Sequence, residues 1–214
     1  MTPPGEPTPG VVDAVLRAEL GGIELWTTTV TLARGAGDAG RDRLDRLSGS
    51  LHAAERIRER AGRLAHPAYP AFERQLGLDP AAPPTELERQ AREVVVTGRL
   101  VPVDPWHDVR LAILAEIGVP LGALDARRTR GPWALRPTAG GERWGGRGTS
   151  VPDGEVVVAD ADGPVAPVVG DVPRSLEAGK RTRAAVLYAV GVPGMSGLEV
   201  SEAVWRAARY LSGT

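Results

Sequence analysis

VPLGALDARR (residues 119–128), GGERW (140–144) and VPDGEVVVADADGPVAPVV (151–169) follow one another in the middle of this chain, and their reading decides the fold. Short apolar runs alternate there with Gly, Pro and Asp, the pattern of strands joined by tight turns. Strands are predicted over 121–125, 133–136 and 156–159. Asp162-Gly163 is a tight-turn signal leading into a further strand over 165–169.

Working outward, AAVLYAVGV (184–192) is a continuous apolar run of strand length, which predicts a central strand covered on both faces. Ser196 and Glu199 have the spacing of a capping box. They open a last helix whose predicted apolar stripe is Leu198, Ala203, Val204, Ala207 and Leu211. Upstream the periodicity is helical. Asp104 before Pro105 puts an acid at N-cap and a proline at N1, predicting a helix that runs through 112–116 to Gly118. Thr85 and Glu88 form another capping box, opening a helix over 86–97 that Gly98 stops. Residues 67–70 break the chain with two prolines, and 71–76 read as a short helix ending at Gly77.

Residues 41–64 carry Leu44, Leu47, Leu51, Ala54 and Ile57 at helical spacing, predicting a long amphipathic helix. Its arginine-rich face is either a solvated face held by local ion pairs, such as Glu59 with Arg63, or a contact for RNA phosphates. His52 and His66, on or beside it, have no partner at ligand spacing. IELWTTTVTLA (23–33) is β-branched and reads as a strand. Gly35-Ala36-Gly37 then reads as a plain loop, because the third glycine and downstream acid of a dinucleotide-binding turn are missing. Met1–Gly10, rich in Pro, Thr and Gly, is expected to be a mobile tail. The fold class is therefore α/β in the broad sense, α+β in arrangement. A strand and helices come first, then a sheet-rich second half and a C-terminal helix. Residues 1–20 form a flexible or partly helical extension to one domain over 21–214.

A chain of 214 residues with 42% apolar and 25% charged side chains can bury an ordinary globular core. It has no cysteine, which excludes disulfides and thiolate chemistry and suits the cytoplasm. No stretch approaches the roughly 20 apolar residues of a membrane span, and no signal pattern opens the chain. The formal charge of −1 argues against a general grip on nucleic acid through many phosphates, so any such contact is local. Three widely spaced histidines make no metal site, and no cofactor is implied. Oligomeric state is left open.

Pro120-Leu121-Gly122-Ala123-Leu124-Asp125, then Gly140-Gly141-Glu142-Arg143, then Val156-Val157-Val158-Ala159-Asp160 running into Asp162-Gly163-Pro164 together resemble the B3/B4 domain of the phenylalanyl-tRNA synthetase β subunit. The likeness to free-standing B3/B4 proteins extends over about 23–211. It includes Phe72, Gly77-Leu78-Asp79-Pro80, Gly98-Arg99-Leu100, Asp104-Pro105-Trp106-His107-Asp108 and Gly118-Val119-Pro120-Leu121. The resemblance implies a B3/B4-like domain and aminoacyl-tRNA as partner. In the synthetase this domain hydrolyses the ester of tyrosine wrongly attached to phenylalanine's tRNA.

Pocket positions depart from the synthetase pattern. Its "P-L-H-A-F-D" histidine is Gly122 here, as in free-standing relatives. The asparagine of "V-D-x-x-N" falls on Leu111, with Asp108 retained, and the acid that reads the tyrosyl hydroxyl falls on Tyr188. Tyrosine specificity therefore does not carry over. The polar segment before the late strand keeps Arg174, Ser175 and Thr182.

Bottom-up, His107, Asp108 and Arg110 cluster at a helix start, where His107 is a candidate general base and the helix N-terminus favours anions. The plain alternative is a surface histidine beside an acid that interacts with the helix dipole. Substrate-binding candidates are Arg110, Leu111, Gly122, Tyr188, Arg174 and Ser175. Lys180, Arg181 and Thr182 are candidates for tRNA contact or simply a solvated loop. Three functions follow: a deacylase acting in trans on mischarged aminoacyl-tRNA, a non-hydrolytic binder of aminoacyl-tRNA or an amino acid, and a protein-interaction module.

Overall fold

The computed structural model describes residues 5–48, 64–81, 85–97 and 100–213. Two four-stranded sheets organise the chain. The first contains β1 (Thr8–Pro9), β3 (Glu24–Thr31), β8 (Ala184–Gly191) and β4 (Gly122–Asp125), in the order β1-β3-β8-β4 and antiparallel throughout. The second contains β2 (Val11–Val12), β5 (Ala134–Pro137), β6 (Val156–Asp160) and β7 (Gly163–Pro167), in the order β2-β5-β6-β7. Its β2 runs parallel to β5, and the other pairs are antiparallel. The mixed α+β class read from the sequence is what the molecule shows.

β8 is the axis of the first sheet, as its unbroken apolar run required. It pairs along its whole length with β3 and over its first half with β4, and every residue after Ala184 is buried. The two-residue side-chain period then divides its contacts. Ala185, Leu187 and Ala189 face one apolar cluster with Val30 and Ala123, covered by α6 (Gly197–Ser212). Val186, Tyr188 and Val190 face a second cluster, which includes Leu135, Val158 and Val165 of the other sheet.

Helix α5 (Pro105–Glu116) joins both clusters. Ten of its twelve residues are buried, from Trp106 to Ala115. From Leu111 to Ala115 its residues are all apolar, so this part has no solvent face and lies inside, while His107, Asp108 and Arg110 in the first turns are buried with polar partners. The start signal read from the sequence is the one used: the Asp104 carboxylate accepts from Trp106 N at 3.0 Å and His107 N at 3.1 Å. Trp106 is fully buried, and its indole N–H donates to Thr182 O at 3.2 Å, meeting the polar requirement of a sequestered indole.

Helix α4 (Glu86–Thr97) has its predicted bounds and its Thr85–Glu88 capping box, with Glu88 N donating to Thr85 Oγ1 at 3.2 Å. Several other expectations are corrected. Residues 5–12 do not form a free tail. Thr8–Pro9 pairs with β3, Val11–Val12 pairs with β5, and Gly10 N donates to Leu25 O at 2.8 Å. The helical part of the N-terminal region is α1 (Ala14–Glu19), capped by Asp13.

Helix α2 spans Ala36–Ser48, starting inside the stretch read as a loop. The reason is packing: a Cβ on Gly37 would come within 3.3 Å of Pro105, and one on Gly40 within 3.4 Å of Asp108. These glycines let α2 approach α5. The remainder of the predicted 41–64 helix, with His52, Glu59 and Arg63, lies outside the described residues, as do Gly98 and its stop signal.

Helix α3 (Ala68–Gln75) includes Pro70, because a proline in the first turn removes no intrahelical bond. The hairpin turn between β6 and β7 is Ala161-Asp162, one residue earlier than predicted, held by Asp160 Oδ1 accepting from Asp162 N and Gly163 N. Ser196 is the N-cap of α6 without a side-chain capping bond, and Leu198 is 76% exposed rather than part of the buried stripe.

Replacing Asp104 with Ala leaves the first amides of a buried helix without an acceptor. The expected cost is about 1 kcal/mol, within a range of roughly 0.5–2. It is read as a lower urea midpoint at unchanged slope, and Asp104→Asn should retain most of the stability.

Candidate functional site

A cavity of about 470 Å³ opens where the start of β4, the middle of β8 and the N-terminal turns of α4 and α5 converge. Gly122, Tyr188 and Val190 come from the first sheet, and His107 and Arg110 from α5. Helix α4 contributes 86–90 and α3 contributes Tyr69 and Glu73. The segment after β7 closes the side with Asp171, Arg174 and Glu177. The volume lies in the range of small-molecule sites, and the lining mixes apolar walls with a few convergent polar groups.

Five of the sequence candidates meet here: His107, Arg110, Gly122, Arg174 and Tyr188. Leu111 is fully buried in the core and does not border the cavity. Asp108 also lies behind the wall, where Oδ1 accepts from Val103 N at 2.7 Å and stands 3.1 Å from His107 Nδ1. It ties the loop before α5 to the helix and orients the imidazole. Ser175 borders a separate depression of about 620 Å³ beside Trp144 and Arg147. Thr182 is buried and structural: its hydroxyl donates to Asp125 Oδ2 at 3.3 Å and accepts from Gly179 N at 3.1 Å. Lys180 and Arg181 are exposed on that turn. The strand register brings exposed Arg183, Arg34 and Arg127 to the same end of the sheet.

Gly122 and Tyr188 are direct cross-strand partners. The phenol ring lies across the glycine so closely that a Cβ at 122 would stand 2.1 Å from two ring carbons and 2.4 Å from the hydroxyl. The ring occupies the room that any side chain at 122 would need. Tyr188 is 6% exposed, and among the described residues its hydroxyl makes no hydrogen bond. Burial pushes that hydroxyl well above the usual phenol range, while nearby Arg110 opposes part of the shift. It therefore remains a protonated donor at neutral pH.

Arg110 is 8% exposed. Its Nη2 donates to Glu177 Oε1 at 2.8 Å, while among the described residues Nε is buried without a partner. His107 is held at both ring nitrogens, by Asp108 at Nδ1 and by Gln90 Oε1 at 2.6 Å from Nε2. Gln90 in turn donates through Nε2 to Glu86 Oε1 at 3.2 Å. Helix α4 is fixed over the cavity by Asp171, whose carboxylate oxygens accept from Glu86 N at 2.9 and 3.2 Å.

No family model matches this sequence, and no curated protein matches it. Among the described residues no group of three or more His, Asp or Glu is arranged to hold a metal ion. No described helix is long and apolar enough to cross a membrane.

The acids of the signature segments act as turn clamps. Asp125 accepts from Arg127 N and its guanidinium, which holds the carboxyl below its usual range. Glu142 does the same with Arg136 and Ala139 N. Asp160 accepts from Arg130 N at 2.8 Å. Sequence reasoning did not single out Tyr69, Glu73, Gln90, Asp171 or Glu177. They reach the cavity from segments far apart in the chain, and no local spacing marks them.

The Gly122–Tyr188 contact predicts strong coupling. Gly122→Ala should cost roughly 1–3 kcal/mol through overpacking in the native background, and much less once Tyr188 is Ala. A double-mutant cycle by urea denaturation measures this. Additivity within about 0.5 kcal/mol would contradict the contact.

Proposed function

We propose that this chain is a free-standing B3/B4-like protein that receives the aminoacyl end of aminoacyl-tRNA in this cavity. In this reading it acts in trans in the cytoplasm to hydrolyse a mischarged ester. The carrying observation is the convergence of His107, Arg110, Gly122, Arg174 and Tyr188 on one cavity of amino-acid size. The basic end of the first sheet, with Lys180, Arg181 and Arg183, supports a local phosphate contact despite the near-neutral chain. Along a strand, Tyr188 lies about 13 Å from residue 184 at roughly 3.3 Å per residue, which suits an acceptor end reaching from the basic end into the cavity.

Hydrolysis would add a water oxygen to the ester carbonyl and break the bond to the ribose oxygen, which takes a proton. His107, held between Asp108 and Gln90 at the cavity wall, is the candidate proton-transfer group for this step.

That same observation favours a second reading, non-hydrolytic binding of the aminoacyl group. His107 is engaged at both nitrogens, and among the described residues no other imidazole borders the cavity. The test is incubation of the protein with a full pool of charged tRNAs. One or a few esters should disappear faster than in buffer, with His107→Gln slowing the loss by about 100-fold or more. Ester protection without hydrolysis selects the second reading. Neither loss nor retention of any charged tRNA overturns both.

A further inference from the structure

Arg110 and Tyr188 are each more than nine-tenths buried and border the same cavity; among the described residues Arg110 Nε is buried without a partner, and the Tyr188 hydroxyl is a donor with no protein acceptor. A guanidinium has five N–H donors, and Glu177 engages Arg110 through Nη2 alone. Leaving such groups unpaired inside a protein is costly, so a site of this kind is completed by what binds there. Arg110, Glu177 and Tyr188 all line this one cavity, with Glu177 paired to Arg110 at 2.8 Å. The ring of Tyr188 cannot settle closer to β4, because it already lies on the bare backbone of Gly122.

We propose that Arg110 and Tyr188 form an acceptor-recognition point, which selects aminoacyl groups whose side chain ends in a carboxylate or a carboxamide. The proposal rests on the reading that the cavity receives an aminoacyl group, and it names the class received. Both groups donate, so the matching ligand atom is an acceptor oxygen. A site that reads a tyrosyl hydroxyl through a carboxylate has the opposite polarity. Glu177 balances one unit of charge on Arg110, so a neutral carboxamide is accommodated as well as an anion. An apolar side chain would leave both donors unpaired, and sites built on hydrogen bonds discriminate strongly against such ligands.

The test is titration calorimetry of the full chain with the α-methyl esters of aspartate, asparagine, glutamate, glutamine, leucine, phenylalanine and tyrosine. Free leucine is included to separate side-chain from α-carboxylate recognition. At least one of the first four esters should bind roughly tenfold or more tighter than the last three esters and free leucine. Tyr188→Phe should weaken that ester about tenfold without moving the others. Arg110→Lys, checked for an unchanged melting curve, should weaken it further, because an ammonium lacks the planar fork.

Equal or tighter binding of the leucine, phenylalanine or tyrosine ester overturns the proposal. So does tighter binding of free leucine, or indifference to Tyr188→Phe. If acceptor esters bind but no charged tRNA is touched, the acceptor point stands and the aminoacyl-tRNA reading falls. If leucyl or phenylalanyl esters on tRNA are hydrolysed as fast with Tyr188→Phe, the reverse holds.

Discussion

Helix α5 is buried at ten of its twelve residues, and the rest of the molecule is arranged around it. Val109 and Ile113 pack into the cluster beneath α6, while Leu111 and Leu114 pack into the cluster shared with the second sheet. Fully burying one such side chain contributes on the order of 1.5–3 kcal/mol. The helix is therefore worth more to the fold than any surface ion pair. Its first turn cannot be left unmet in that setting, which is why Asp104 caps it, Asp108 holds the preceding loop and Thr182 accepts from Trp106. The consequence for function is positional. A helix fixed this tightly presents His107 and Arg110 to the cavity from a rigid base.

The second constraint is steric and lies across the β4–β8 pair. Gly122 is needed because Tyr188 lies on it, and Tyr188 is held because Gly122 gives way. Together they put a phenol hydroxyl on the cavity wall where no described protein group accepts from it. Arg110 adds a guanidinium that is satisfied by Glu177 on one side only. The cavity thus sets a few directed donors among carboxylates, including Glu73, Asp171 and Glu177. Among the described residues it contains one imidazole, and that imidazole is already engaged. This combination fits selective binding readily and asks hydrolysis to proceed through positioning of the ester and proton transfer at His107.

Elements with a strong local signal were legible in the sequence. α5 and α4 carry their own caps, and β8 is an unbroken apolar run, so all three lie where their residues predict. The misses have tertiary causes. The glycines of α2 read as loop residues because their use, close approach to α5, is visible only once both helices are placed. The short strands at Thr8–Pro9 and Val11–Val12 have no periodicity of their own and form because β3 and β5 offer partners. At the site, Arg110, Gly122 and Tyr188 were legible from their positions. Glu177, Asp171 and Gln90 were not, because each acts through a partner distant in sequence. The acids of the 119–169 stretch turn out to be turn clamps, with Asp125, Glu142 and Asp160 each capturing backbone N–H groups.

The central claim is that the aminoacyl end of a charged tRNA sits between α5 and the β4–β8 pair. An adenosine carrying an amino acid through a stable 3′-amide tests it most directly, with binding followed by hydrogen exchange across the chain. The account predicts slowed exchange concentrated in 103–110, 120–123 and 168–179, the segments around the cavity. Protection confined to the depression beside Trp144, or none at millimolar analogue with every side chain tried, would contradict it.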